Sequence, residues 1–184
     1  MAQNFHIIGR TANLPDVQRN NLWEMNIATP KCISQSVWNA DEMLLKVQSA
    51  KIPGKEVSDL TYNFMGMKQH YSGDAKEIDT TLSVTFQEFE DQKVRKALYA
   101  WSEAIWQIQN AKDDNSGHST AESKKDYSTT IIMTLYKNNS EIAGKVKFYN
   151  AWLKTINETE LNYDSAESIK YSATFVYDYY DIID

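Results

Sequence analysis

TTLSVTFQEFEDQKVRKALYAWSEAIWQI, residues 80–108, changes its hydrophobic period half-way, and that change decides the fold. In the first third Leu82, Val84 and Phe86 take one side and Thr81, Ser83, Thr85 and Gln87 the other. Strict alternation of this kind is a half-buried inner strand. Past Glu90 and Asp91 the spacing lengthens. Val94, Leu98, Trp101, Ile105 and Ile108 follow one another at steps of four, three, four and three. They form one stripe of an amphipathic helix, expected over 91–110, with the two acids at its electropositive N-terminal end.

Downstream, residues 111–127 are almost free of apolar side chains and rich in Asn, Ser and Gly, which predicts a surface loop. Residues 128–137 and 142–153 flank Asn138-Asn139-Ser140 and read as a β-hairpin, with Val146, Phe148 and Trp152 on one face. A polar connector covers 157–167. The longest alternation in the chain follows, with Ile169, Tyr171, Ala173, Phe175, Tyr177 and Tyr179 on a common side.

Upstream, Trp23, Met25 and Ile27 alternate with Glu24 and Asn26 in a strand that Pro30 ends. Residues 32–38 read as a second short strand and 44–52 as a third, closed by Pro53-Gly54. Residues 53–76 read as an extended hairpin. Its large apolar side chains Tyr62, Phe64, Met65, Met67 and Tyr71 show no clear amphipathic period, so some are expected to be exposed on one copy and covered by another molecule. Residues 1–20 read as an N-terminal arm. The sum is one mainly β (α+β) domain over 1–184, antiparallel, with seven or eight strands and one helix.

Composition bounds the function. The chain has 184 residues, 25 acidic against 19 basic, and a net charge of −6, which argues against general affinity for nucleic acid. Seven acids face Lys170 alone between Glu158 and Asp184. This reads as a solvated acidic face or as a surface that must not adhere to a polyanion. No apolar run is long enough for a transmembrane helix, and the first residues lack a secretory pattern. One cysteine, Cys32, excludes an internal disulfide and reads as a small core residue. His6, His70 and His118 have no metal-ligand spacing, and no Gly-rich phosphate loop occurs. Glu88 and Glu90 could be a glycosidase pair, but their place before a helix assigns them to its N-terminus. Five tryptophans raise the alternative of a carbohydrate platform. Trp23, Trp101 and Trp152 read as core, Trp106 falls just off the helix stripe, and Trp38 has no evident packing role. No cofactor, metal or catalytic residue is expected.

The order of these pieces carries a resemblance. Leu22-Trp23-Glu24-Met25-Asn26-Ile27 is followed by Lys51-Ile52-Pro53-Gly54 and the extended segment. Then come Leu82-Ser83-Val84-Thr85-Phe86, the helix with Trp101, Phe148-Tyr149-Asn150-Ala151-Trp152 and the aromatic end Ala173 to Tyr180. From Asn20 to Ile182 the chain resembles the tail tube proteins of contractile-tailed bacteriophages of the T4 type. The resemblance implies two packed antiparallel sheets in a small barrel-like sandwich with a flanking helix. It implies a homo-hexameric ring, stacked into a tube inside a contractile sheath, with baseplate and tail terminator proteins as further partners. A tape measure protein would fill the lumen before ejection, and DNA would pass without sequence preference and without stable membrane insertion of the tube. The implied location is the tail of the virion, assembled in the host cytoplasm. Within that frame Ser83, Thr85 and Gln87 are expected to face the channel, and Tyr62, Phe64, Met65, Met67 and Tyr71 to dock on a neighbouring subunit. A tube initiator or terminator, and the tubes of phage-tail-like bacteriocins and type VI secretion systems, are related readings. A carbohydrate-binding β-sandwich is the reading from another class.

Overall fold

The computed structural model describes residues 16–77, 80–105, 123–164 and 166–183. Its strands are β1 (Trp23–Ile27), β2 (Val47–Ala50), β3 (Lys55–Phe64), β4 (Met67–Glu77), β5 (Thr81–Gln87), β6 (Thr129–Tyr136), β7 (Ile142–Ile156), β8 (Lys170–Val176) and β9 (Tyr179–Ile183). The helices are α1 (Ala40–Lys46), α2 (Lys93–Ile105) and α3 (Lys124–Tyr127). Seven strands form one antiparallel sheet in the order β1-β6-β7-β8-β5-β2, with β9 also paired to β7, while β3 and β4 form a small sheet of their own. The mainly β antiparallel fold is as expected. No closed barrel forms: β1 and β2 end the strand path without meeting, so the described strands leave the sheet open.

The bend of the large sheet comes from two adjacent residues. Along β7, Val146 and Phe148 are buried, and then Ala151 and Leu153, so the inward phase shifts by one residue at Asn150. Asn150 has φ +53, in the left-handed region that asparagine tolerates better than most residues. Across from it, Phe175 and Tyr177 are buried, and then Tyr180, so the phase shifts again at Asp178. Asn150 Nδ2 donates to Asp178 Oδ2 at 2.9 Å, and the Asp178 N–H donates to the Tyr149 carbonyl at 3.1 Å. The two kinks therefore coincide. β7 can pair with β6 and β9 over its first part and with β8 over its last. Two expectations fail here for this reason: Trp152 leaves the face of Val146 and Phe148, and Tyr179 turns outward from the face of Tyr177. Asn150→Val is expected to lower stability by about 1–2 kcal/mol, because a β-branched residue resists positive φ. Asn150→Gly should keep the bend and lose only the side-chain bond. Denaturant midpoints of the two variants check this.

One core cluster joins the layers. It holds Met25, Ile27, Ile131, Met133, Val146 and Phe148 with Leu82, Val84, Phe86, Ala173 and Phe175, and Val94, Ala97, Leu98 and Trp101 from α2. The stripe read from the sequence is the buried face of α2 as far as Ile105. The expected helix end, with Trp106 and Ile108, lies outside the described residues. So do most of the loop expected at 111–127, His6, His118 and the arm before residue 16. Residues 124–127 of that loop form the short helix α3.

The segment read as two strands at 32–38 and 44–52 is instead a run of turns and then α1, with only Val47–Ala50 extended. The Asn39 side chain caps α1 by accepting from the Asp41 N–H at 3.1 Å, and Asp41 and Glu42 occupy its first turn. This is a helix start that alternation in the neighbouring residues obscures. Trp38 also gains a role. It is fully buried, meets Trp101 edge to face at 5.0 Å, and donates from Nε1 to the Ile27 carbonyl at 3.1 Å. A carbohydrate platform cannot use it.

Ion pairs clamp α1 to the start of α2. The buried Lys46 ammonium contacts Glu42 at 3.3 Å and Asp91 at 3.1 Å, and Lys93 contacts Glu42 at 2.8 Å. The hydrogen bond from Lys93 holds the Glu42 carboxyl below its ordinary range, with Lys46 adding to it. Asp91 is pushed up by desolvation, but the bonds from Lys46 and the Lys93 N–H outweigh this and its pKa is lowered. Groups with a depressed folded pKa stabilise the fold above their unfolded pKa and lose that contribution as pH falls through the folded one. The melting temperature is therefore expected to fall as pH drops below the carboxylate range, and by less in Lys46→Met. Thermal melts at pH 6 and pH 3 measure it.

Candidate functional site

The hairpin β3–β4 stands apart from the large sheet, because among the described residues each of its strands pairs only with the other. Its register sorts side chains by chemistry. Leu60 faces Tyr71, Tyr62 faces Gln69 and Phe64 faces Met67 on one side. Asp59 faces Ser72, Thr61 faces His70 and Asn63 faces Lys68 on the other. So four of the five residues expected to dock, Tyr62, Phe64, Met67 and Tyr71, share one side with Leu60, while Met65 lies in the turn. On that side Tyr62 stacks on Phe64 with centroids 6.4 Å apart, and Tyr71 Oη donates to Gln69 at 2.6 Å. On the polar side His70 Nδ1 lies 2.8 Å from Asp59 Oδ2. Leu60, Tyr62, Phe64, Met67 and Tyr71 are 51–65% exposed, far above what large apolar side chains show in a packed layer.

The turn and the base are built for this shape. Met65 and Gly66 have φ +46 and +80, the pair of left-handed residues a tight type I′ turn requires. Gly66 adopts this freely; Met65 does so at a cost of about 1–2 kcal/mol, and its side chain is 87% exposed at the tip. Near the base the register shifts between Val57 and Asp59. A Cβ on Gly73 would lie 2.4 Å from Ser58 Oγ and 3.1 Å from the Ser58 carbonyl, so any larger residue would have to displace the Ser58 hydroxyl, which donates to the Asp74 carbonyl.

The second surface is the outward side of β5 and β8. Cross-strand pairs set Ser49, Thr85 and Ser172 in one row and Ser83, Thr174 and Thr155 in the next. Thr85 and Ser172 share a hydroxyl hydrogen bond of 3.1 Å. The rows are neutral; Lys170 enters only at the end, opposite Gln87. Ser83 is exposed, while Thr85 and Gln87 are half-buried. Gln87 is the most constrained of the three. Its amide nitrogen donates to the Ile169 and Glu88 carbonyls, both at 3.1 Å, and its oxygen accepts from Ser168.

The third surface is a groove of about 570 Å³ between the two ends of the strand path. Trp23 from β1, Met133 and Leu135 from β6, and Ala50 and Ile52 at the end of β2 line it, with Arg19 and Lys51 on its rim. Sequence reading gave no sign of it, because it forms only where distant strands stop.

Glu88 takes the helix-start role expected for it: its carboxylate accepts from the N–H groups of Phe89, Val94 and Arg95. Cys32 is half-buried against the core. Among the described residues no three His, Cys, Asp or Glu side chains are placed to hold a metal ion. No described helix is long and apolar enough to cross a membrane.

The fold, an open antiparallel sheet with one long self-paired hairpin, can now be set beside known proteins. The model of the phage tail tube protein family matches residues 5–183. The chain belongs to this family. No curated protein sequence matches it. Among solved structures the phage tail tube family member is similar to a chain of the sheath/tube terminator of the PVC extracellular contractile injection system in its extended state. That match has a TM-score of 0.58 and 10% identity, and covers 93% of this chain and 99% of the other. A chain of the PVC sheath-tube complex gives 0.56 at 10% identity, covering 96% of each. The anti-feeding prophage cap, a tube-terminating cap, gives 0.53 at 14% identity, covering 94% and 96%. At these identities the likeness is one of fold.

Proposed function

We propose that the chain is a repeating structural subunit of a contractile-tail tube. Six copies make a ring, rings stack inside a sheath, and the stack joins a baseplate at one end and a terminator at the other. The observation that carries this is the hairpin: five large apolar side chains on one side of a self-paired ribbon, each more than half exposed. Membership of the tail tube family and fold likeness to sheath-tube proteins support it. The tube belongs to the virion tail and assembles in the host cytoplasm, around a tape measure protein that DNA later replaces.

In this reading the neutral hydroxyl rows of Ser83 and Thr85, with Gln87 at their edge, line the channel. Hydroxyl rows with a cation only at their end, Lys170 opposite Gln87, give phosphates little to bind, and the net negative charge of the chain adds repulsion. Ser83→Lys with Thr85→Lys is expected to leave tubes intact and to reduce genome ejection at least about tenfold, through phosphate binding that salt relieves. Ejection assays at low and high salt measure it. Ring formation itself is tested by sedimentation of the purified chain, which should show a hexamer or larger species and no stable monomer at high concentration.

A tube terminator is the second reading, favoured by the likeness to the PVC terminator chain and the tube-terminating cap. It predicts one ring per particle in place of many.

A further inference from the structure

We infer that the groove between β1 and β2 is the seat for the hairpin of a second copy, an inference that rests on the tube reading above. Four observations meet. First, β1 and β2 are the open ends of the sheet. The Tyr136 N–H donates to the Leu22 carbonyl and the Ala28 N–H to the Thr130 carbonyl, so the even-numbered residues of β1 spend their backbone groups on β6. Trp23 and Met25 therefore aim theirs at the open edge, where only the Ile27 carbonyl has a described partner, Trp38 Nε1. Second, the groove beside that edge is apolar, lined by Trp23, Ala50, Ile52, Met133 and Leu135. Third, the hairpin is a ribbon with one apolar side and open edges, which is the complement of an apolar groove with open edges. Fourth, charges agree in sign: the groove carries the cations Arg19 and Lys51, and the hairpin sequence has the acids Glu56, Asp59, Asp74 and Glu77 against Lys55, Lys68 and Lys76.

The hairpin cannot fill the groove of its own chain. Ile52 lines the groove and β3 starts three residues later at Lys55. Ten residues of β3 then carry the tip about 30 Å away. The partner is thus another copy, and the contact is head to tail: every copy gives a hairpin and offers a groove. A contact of this type propagates or closes a ring and does not stop at a dimer. It also gives a use to Met65, held in a strained turn conformation at the leading end.

The test joins the two surfaces in the assembled protein. In a Cys32→Ala background, Met67→Cys and Ile52→Cys are combined and treated with a short bis-maleimide. The expected result is a ladder of covalent multimers on a denaturing gel. Met67→Cys with Tyr163→Cys, whose second site is far from the groove in sequence and fully exposed, should give none. Assembly is followed in parallel by electron microscopy. Tubes that form without the ladder, or with an equal ladder in the control, overturn the seat and leave the tube reading standing. A chain that forms neither rings nor tubes overturns the tube reading and the seat with it.

Discussion

Trp101→Ala is expected to lower the unfolding free energy by about 3–5 kcal/mol, the usual cost of emptying a large aromatic site that cannot collapse. Trp101 is fully buried on α2 and meets Trp38 at 5.0 Å and Phe175 at 5.5 Å. Its Nε1 donates to the Tyr127 carbonyl at 2.9 Å, which ties α2 to α3. Removal leaves a void beside two aromatic rings and an unpaired carbonyl at once. Trp101→Phe should cost less, because it fills most of the void and loses the hydrogen bond, worth about 1 kcal/mol. Urea unfolding followed by far-UV circular dichroism measures both. A loss below about 1 kcal/mol for the alanine variant would mean that α2 does not close the core.

Tyr62→Asp combined with Phe64→Asp is expected to separate folding from assembly. Both side chains are more than half exposed and lie on a hairpin whose strands pair with no other described strand. The stability of the single chain should change by less than about 1 kcal/mol. Assembly should fail. Burying two aromatic side chains is worth about 1.5–3 kcal/mol each, and two buried carboxylates add a desolvation penalty. The concentration needed for rings or tubes should therefore rise by at least about a hundredfold. Tyr62→Phe, which keeps the apolar area, should assemble normally. Light scattering against concentration reads the threshold, and unchanged assembly of the double variant would remove the hairpin from the interface.

These two variants also mark what the sequence makes legible. Local periodicity is written in the chain: the stripe of α2, the alternation of β5, and the Asn138-Asn139-Ser140 turn between β6 and β7 all follow from spacing and turn chemistry. The faults lie where one residue resets a phase. Asn150 and Asp178 each shift the inward face by one position, and nothing in the alternation around them signals it. Trp38 looked idle because its partners, Trp101 and the Ile27 carbonyl, come from elsewhere in the chain. The residues expected to dock stand out by size and apolarity, but the sorting of Tyr62, Phe64, Met67 and Tyr71 onto one side needs the register of β3 against β4. The groove needed the positions of strand ends, which only the assembled sheet supplies.

The most direct measurement of the central claim is electron microscopy of the purified chain at high concentration, with ring symmetry counted in end-on views. The account predicts six-fold rings with an open channel, stacked into tubes of variable length. A population of single chains with no ring and no channel at any concentration would contradict it.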